Sequence, residues 1–294
     1  MPAITTADGL SAIVEHYDLF LVDQFGVLHD GSAAYPGAVA ALHELKAAGK
    51  TVILLSNSGR RAASNEARLA ALGFDRACYD VCLCSGEVAW RQIAGGQLPV
   101  ATTAQPLRCL LVNRRGDESA VAGLPLAMVA AADDADFVLL AGSDGDIRPL
   151  DDYRALLAPA AARGLPCLCT NPDKVMVLAE GSGFGPGRIA DLYAELGGPV
   201  TRIGKPFTEI YRVALEEAAR LGPLPPPART IGIGDSIEHD IAGAKRAGFA
   251  AALVRTGILS GADPATLAAA MRAHAASPDL YLARFAWSAH RDDA

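Results

Sequence analysis

Short, wholly apolar runs recur in this chain at intervals that leave room for a helix between them, and the runs end on polar residues. Residues 19–23 read LFLVD, 51–55 read TVILL before Ser56-Asn57, and 229–234 read RTIGIG before Asp235. A strand buried on one face alternates apolar and polar residues, whereas a run that is apolar throughout is covered on both faces. Between the first two runs, Val39, Leu42 and Leu45 recur at helical spacing after Pro36, and Gly49 closes the segment. Proline near a helix start and glycine just past its end match the backbone groups that lack partners there. A second helix is expected over about 62–72, closed by Gly73. Strand, helix, strand, helix predicts an α/β protein with a parallel sheet between helical layers. Ligands of such sheets bind beyond the carboxyl ends of the strands, where Asp23 and Ser56 fall.

The rhythm returns late in the chain. Residues 207–221 read as a helix closed by Gly222, and a proline-rich connector (PLPPPA, 223–228) leads into the run ending at Asp235. A helix over 240–247, closed by Gly248, and a strand over 250–254 follow. Between the halves, apolar runs at 109–112, 137–141 and 165–169 are separated by acidic, Ala-rich or Gly-rich segments. We therefore expect a doubly wound, Rossmann-like core from residues 1–84 and 197–294, and an inserted α/β domain over 85–196. The Ala-rich tail after about 260, with FAW at 285–287, carries no functional signal of its own.

Charge and composition narrow the function. The chain has 294 residues, 51% hydrophobic and 20% charged, a globular balance. A formal net charge of −7 argues against a nucleic-acid partner, because phosphate backbones demand a basic face. It leaves room for a small anionic substrate, since one metal ion and one lysine can reverse the field inside a pocket. No run reaches the roughly 18–20 uncharged apolar residues of a membrane span; the longest candidate, 119–132, contains Gly123 and Pro125. The first residues lack a basic stretch followed by an apolar one and carry Asp8, Glu15 and Asp18, so a cytoplasmic protein is expected. Six cysteines occur without a C-x-x-C pair: Cys78, Cys82, Cys84, Cys109, Cys167 and Cys169. They are expected as reduced, buried strand residues rather than as metal ligands or disulfides.

Each chemistry-bearing residue has an ordinary reading when taken alone. Asp23, opening D-Q-F-G-V-L, reads as the start of a turn; Ser56-Asn57 as a helix cap; Lys205 in I-G-K-P-F as a solvated lysine before a helix; Asp235 and Asp240 in G-D-S-I-E-H-D as a turn residue and a helix cap. Gly232-x-Gly234 lacks a third glycine three residues on, where Ile237 stands, so a dinucleotide fingerprint is incomplete. The order Asp, Ser-Asn, Lys, G-D-x-x-x-x-D after these strands is far more specific. It resembles the four motifs of the haloacid dehalogenase (HAD) superfamily of hydrolases. Within it the chain is similar to class IIA, whose cap domain is inserted between the second and third motifs. Cys169-Thr170-Asn171-Pro172-Asp173 and Gly204-Lys205-Pro206 support that class.

The resemblance implies a Mg²⁺-dependent phosphatase of a small phosphorylated metabolite. Asp23 would be the nucleophile, forming an aspartyl-phosphate, and Lys205 would neutralise charge beside it. Asp23, the main-chain carbonyl of Phe25 and Asp235 would hold the metal, with Asp240 orienting its waters. Ser56, Asn57 and Gly26 would contact the phosphoryl group, and Asn171 and Asp173 the substrate. Caps of this class often mediate dimers, so a homodimer through the cap is an expectation.

The pattern breaks at one place. Phosphatases of this superfamily usually carry a second aspartate two residues after the nucleophile, which protonates the leaving group; here that residue is Phe25. A phenyl ring transfers no proton, so dehalogenase-like or phosphonate-cleaving chemistry, or a ligand-binding protein of low turnover, stays open. His29, which titrates near neutrality, stands as a substitute proton donor or as a plain loop residue.

Overall fold

The computed structural model describes residues 4–100, 105–177 and 181–288. The chain opens with strand β1 (Thr5–Ala7), then β2 (Leu19–Asp23), helix α1 (Ala38–Ala47), β3 (Thr51–Ser56), α2 (Ala62–Ala71) and β4 (Val81–Cys84). It continues through α3 (Ser85–Ala94), β5 (Leu107–Val112), β6 (Leu126–Val129), β7 (Phe137–Leu140), α4 (Leu150–Ala162), β8 (Cys167–Cys169), β9 (Val175–Val177), β10 (Ser182–Phe184), α5 (Pro186–Glu195) and β11 (Val200–Arg202). It closes with α6 (Thr208–Leu221), β12 (Thr230–Gly234), α7 (Ala242–Arg246), β13 (Ala250–Val254), α8 (Pro264–His274) and β14 (Leu280–Leu282).

Two compact units result. The first comprises residues 1–56, 63–83 and 205–294; the second comprises 57–62 and 84–204. The first unit resumes at Lys205, eight residues beyond the expected 197 (205 − 197 = 8), because β11 pairs in parallel with β8 and so belongs to the second unit. Residues 57–62 also go with the second unit.

The first unit is built on a sheet of order β1-β14-β13-β12-β2-β3-β4. The pairings from β1 through to β3 are parallel. From β2 the chain proceeds outward to β3 and β4; from β12 it proceeds outward the other way, to β13 and β14. The crevice between β2 and β12 is therefore the point where winding reverses, the usual ligand position in such sheets. Phe20, Val22, Val52, Leu54, Ile231 and Ile233 are buried, together with Leu42 and Leu45 of α1. Each such side chain contributes roughly 1.5–3 kcal/mol by leaving water. α1 buries Ala38, Ala41, Leu42 and Leu45, the spacing of one helix face. The tail is structural: β14 closes the sheet between β13 and β1, Phe285 is buried, and the carbonyls of Ala286 and Trp287 accept the N–H groups of Leu10 and Ser11.

The second unit carries its own parallel sheet, order β11-β8-β7-β5-β6, and a two-stranded antiparallel pair, β9 with β10. Leu110, Val138 and Leu140 pack with Tyr153 and Leu157 of α4 and Ile189 and Tyr193 of α5. All six cysteines are buried and none is in a disulfide; five lie in strands, and Cys78 lies in a short 3₁₀ turn, Arg76–Cys78. Among the described residues no helix is long and apolar enough to cross a membrane.

Candidate active site

β2 ends on Asp23, and Asp235 follows β12 by one residue. The strands are parallel neighbours with Val22 opposite Ile233, so both carboxylates leave the sheet at the same edge. Beyond Asp235 the chain makes a wide π-type turn over Ile237–Ile241, in which the N–H of Ile241 reaches back to the carbonyl of Ser236. Such turns re-aim a side chain relative to an ordinary helix. Here Asp240 is turned toward the strand ends, and its Oδ2 accepts the N–H of Ser236 at 3.1 Å. Carboxylate oxygens of Asp23, Asp235 and Asp240 lie within 4.8 Å of one another.

Lys205 sits among them, only 4% exposed. Its Nζ donates to Asp23 Oδ1 at 2.5 Å and to Asp240 Oδ1 at 2.6 Å. A cavity of about 10 Å³, one water in size, is lined by Asp23, Lys205, Asp240 and the buried Tyr211. The four sequence candidates that matter most for charge (Asp23, Lys205, Asp235 and Asp240) are thus brought together.

Three carboxylates beside one ammonium would, if all ionised, leave a surplus of negative charge, and their pKa values shift accordingly. Burial pushes the Asp23 carboxyl well above the usual range; Lys205 pulls it down, while Asp240 and Asp235 push it up again. Burial, then the neighbouring Asp240 charge, raises Asp235 to about 7. Burial works against the Lys205 ammonium, yet the carboxylates of Asp23 and Asp240 outweigh it and hold its pKa above the ordinary lysine value. An all-oxygen donor set with this surplus fits a hard divalent cation such as Mg²⁺.

The backbone is shaped around Asp235. A Cβ on Gly26 would lie 2.1 Å from its Oδ2, and one on Gly257 would lie 2.0 Å from the same atom. Both glycines hold positive φ, 84° and 66°. The N–H of Ile258 donates to that oxygen at 2.7 Å, and Thr256 Oγ1 donates to the carbonyl of Gly26 at 2.5 Å. The segment Thr256–Ile258 is the part of the site that sequence reasoning missed. Its one signal is a glycine just past the carboxyl end of β13.

The remaining candidates separate. Ser56 closes β3 one strand from Asp23, whose register partner is Leu55. Asn57, Asn171 and Asp173 belong to the second unit and form a small network of their own: Asn57 Nδ2 donates to Asp173 Oδ1 at 2.8 Å, and Asp173 N–H to Asn171 Oδ1 at 3.0 Å. Phe25 exposes 43% of its surface and stands edge-on to the His29 ring, centroids 6.0 Å apart. His29 is no solvent-facing loop residue: it is 2% exposed. Its Nδ1 accepts the N–H of Gly31 at 3.0 Å, so Nε2 carries the proton, and that nitrogen has no partner among the described residues. Burial, with Arg68 adding to it, pushes the imidazole down to about 4, so it is neutral at pH 7.

A doubly wound sheet whose switch point holds carboxylates from two adjacent strands and a buried lysine defines a hydrolase core with an inserted second unit. Known proteins agree. Residues 20–127 match the haloacid dehalogenase-like hydrolase family, and residues 202–285 match a HAD-hydrolase-like family. Mouse (Mus musculus) chronophin is 30% identical over 251 residues, covering 82% of this chain and 81% of that protein. A haloacid dehalogenase-like hydrolase structure from Brucella suis 1330 superimposes with a TM-score of 0.79 at 28% identity, over 95% of this chain and 99% of that one. A glycerol phosphate phosphatase structure from Mycobacterium tuberculosis, in complex with calcium, does so with a TM-score of 0.65 at 26% identity, over 86% and 72%. The chain belongs to the haloacid dehalogenase-like hydrolases, in the class that carries its cap between the second and third motifs.

Proposed function

We propose that the chain is a Mg²⁺-dependent phosphatase of a small phosphorylated metabolite, working through an aspartyl-phosphate at Asp23. The observation that carries this reading is the contact of Lys205 Nζ with Asp23 Oδ1 at 2.5 Å, inside a group of three carboxylates whose oxygens lie within 4.8 Å. With Lys205 holding Asp23 through Oδ1, the second carboxylate oxygen, Oδ2, attacks phosphorus. The bond from phosphorus to the ester oxygen breaks, and the acyl-phosphate splits one difficult displacement into two. Water then attacks phosphorus, releasing inorganic phosphate and restoring the Asp23 carboxylate. Lys205 stays charged throughout and balances the phosphoryl charge. Asp23, Asp235 and the Phe25 carbonyl would hold the cation, with Asp240 beside them, and it would supply neutralisation of the phosphoryl oxygens. Ser56 and the Gly26 backbone are the phosphoryl contacts of this reading; Asn57, Asn171 and Asp173 are its substrate contacts.

Phe25 refines the substrate. The phenyl ring provides no proton, and His29 is buried and neutral. Help with leaving-group protonation is typically worth 10²–10⁴-fold. This site therefore favours esters whose leaving groups depart as anions, and Phe25 and Ile258, 43% and 64% exposed, offer them apolar surface. Phosphate release from a panel of aryl and alkyl phosphates, with Mg²⁺ and with chelator, tests the reading. Activity that persists undiminished in chelator would end it. In Phe25→Asp, alkyl phosphates should gain more than aryl ones.

The dehalogenase-like reading fares less well, since carbon–halogen hydrolysis has little use for Asp235 and Asp240 beside the nucleophile. Halide release from 2-haloacids would revive it.

A further inference from the structure

A second cluster of metal-binding side chains lies in the first unit, away from the carboxylate group. His43 stands on α1, Asp75 caps the 3₁₀ turn Arg76–Cys78 that precedes β4, and Cys78 is the last residue of that turn. Their ligand atoms (an imidazole nitrogen, a carboxylate oxygen and a thiol sulfur) all lie within 4.8 Å of one another. β4 begins at Val81, three residues after Cys78, and the Asp80 N–H donates to the carbonyl of Val52 near the start of β3, so the cluster sits at the amino edge of the sheet, opposite the strand ends that carry Asp23.

We infer that His43, Asp75 and Cys78 form a second metal site, built for a thiophilic divalent cation of the Zn²⁺ type. Ligand chemistry decides the class of ion. Thiolate and imidazole donors suit Zn²⁺ and Co²⁺, whereas Mg²⁺ takes oxygen donors, so the two clusters sort different cations. Geometry supports it. A tetrahedral Zn²⁺ with bonds of about 2.3 Å to sulfur and about 2.0–2.1 Å to nitrogen and oxygen needs its ligand atoms about 3.3–3.6 Å apart. His43 Nε2 and Asp75 Oδ2 are already 3.1 Å apart. The Asp75 carboxylate is fixed in that orientation, because its Oδ1 accepts the Ala77 N–H at 2.7 Å and Oδ2 is left facing the histidine. Cys78 sits below, its Sγ donating to the Asp75 carbonyl at 3.0 Å. The side chains of His43 and Asp75 are 45% and 59% exposed, so ions reach the cluster from solvent and water completes the coordination.

Binding is balanced by proton release. The Cys78 thiol gives its proton to solvent, loses its bond to the Asp75 carbonyl and forms the metal–sulfur bond. His43 shifts its proton from Nε2 to Nδ1 and donates the freed lone pair. The ion then ties α1 to the turn before β4.

The ordinary alternative is a surface ion pair over a buried, inert thiol. Titrating the full chain with Co²⁺, in excess Mg²⁺ to fill the carboxylate site, separates the two. One equivalent of Co²⁺ should produce a thiolate-to-metal charge-transfer band, which Zn²⁺ then abolishes by displacement. His43→Ala and Asp75→Asn, both at exposed positions, should each lose the saturable band, as should Cys78→Ser. Cys109→Ser should keep it. No thiolate band in the native chain, or a band unchanged in His43→Ala and Asp75→Asn, would overturn the assignment.

Discussion

The molecule contains two parallel sheets that are alike in packing and unlike in charge. Both bury apolar strands under helices, and both carry charged residues at or just beyond the carboxyl ends of some strands, Asp23 and Asp235 in the first and Arg114 and Arg202 in the second. At the strand ends of the second unit, charges are matched: Arg114 meets Asp146 at 2.8 Å, and Arg202 and Lys174 meet Asp191 at 2.8 and 2.9 Å. Arg114 holds Asp146 well below the usual carboxylate range, at about 2. In the first unit, Asp23 and Asp235 are displaced the opposite way, upward. One sheet has settled its electrostatics within the fold, and the other has left a surplus of carboxylates that a proton or a bound cation relieves. Architecture alone does not make a site; the unsettled charge does.

The contrast can be broken most severely at the nucleophile. Asp23→Asn should lower phosphate release by at least about a thousandfold, roughly 4 kcal/mol of barrier, while raising the thermal stability of the metal-free protein at pH 8. Next, Lys205→Met strands two buried carboxylates and should cost about 3–5 kcal/mol of stability in chelator, measured by denaturant unfolding. Packing, by contrast, should not distinguish the sheets. Leu54→Ala in one and Leu140→Ala in the other, both fully buried, should each cost about 2–5 kcal/mol.

Mg²⁺ should raise the melting temperature more at pH 8 than at pH 6. The sign follows from Asp235, whose folded pKa of about 7 exceeds its unfolded value. The stability that its proton supplies is full below the ordinary aspartate range and is lost as pH rises to about 7, so the ionised carboxylate carries the whole cost above that pH and less of it on acidification. At pH 6 a proton competes with the ion, so more Mg²⁺ is needed. The smallest effect is expected at Asp146→Asn, a slight loss of stability at pH 7. Because that pKa is depressed, the difference from the native chain should shrink as pH falls toward about 2. A gain of stability there would undo the contrast between the sheets.

Much of this was legible in the residues, for identifiable reasons. Asp23 and Asp235 end runs too apolar to be anything but covered strands, and covered parallel strands put their ends at a site. Asp240 was legible only through resemblance, because a π-type turn, which no periodicity announces, aims it. The resumption of the first unit at Lys205 was hidden because β11 is three residues long and contains a polar threonine. The tail carried no signal because β14 pairs with β13 and with β1, and long-range parallel pairing leaves no local mark. Thr256–Ile258 was missed because two of its contributions are a backbone N–H and the absence of a Cβ, which any glycine-containing loop can offer.

The direct test is to find where the phosphoryl group goes. Rapid acid quench of the enzyme during turnover of an aryl phosphate with Mg²⁺, followed by peptide mass spectrometry, should locate a phosphoryl adduct on Asp23 that vanishes in chelator and in Asp23→Asn. An adduct on another residue, or full phosphate release by Asp23→Asn, would contradict the account.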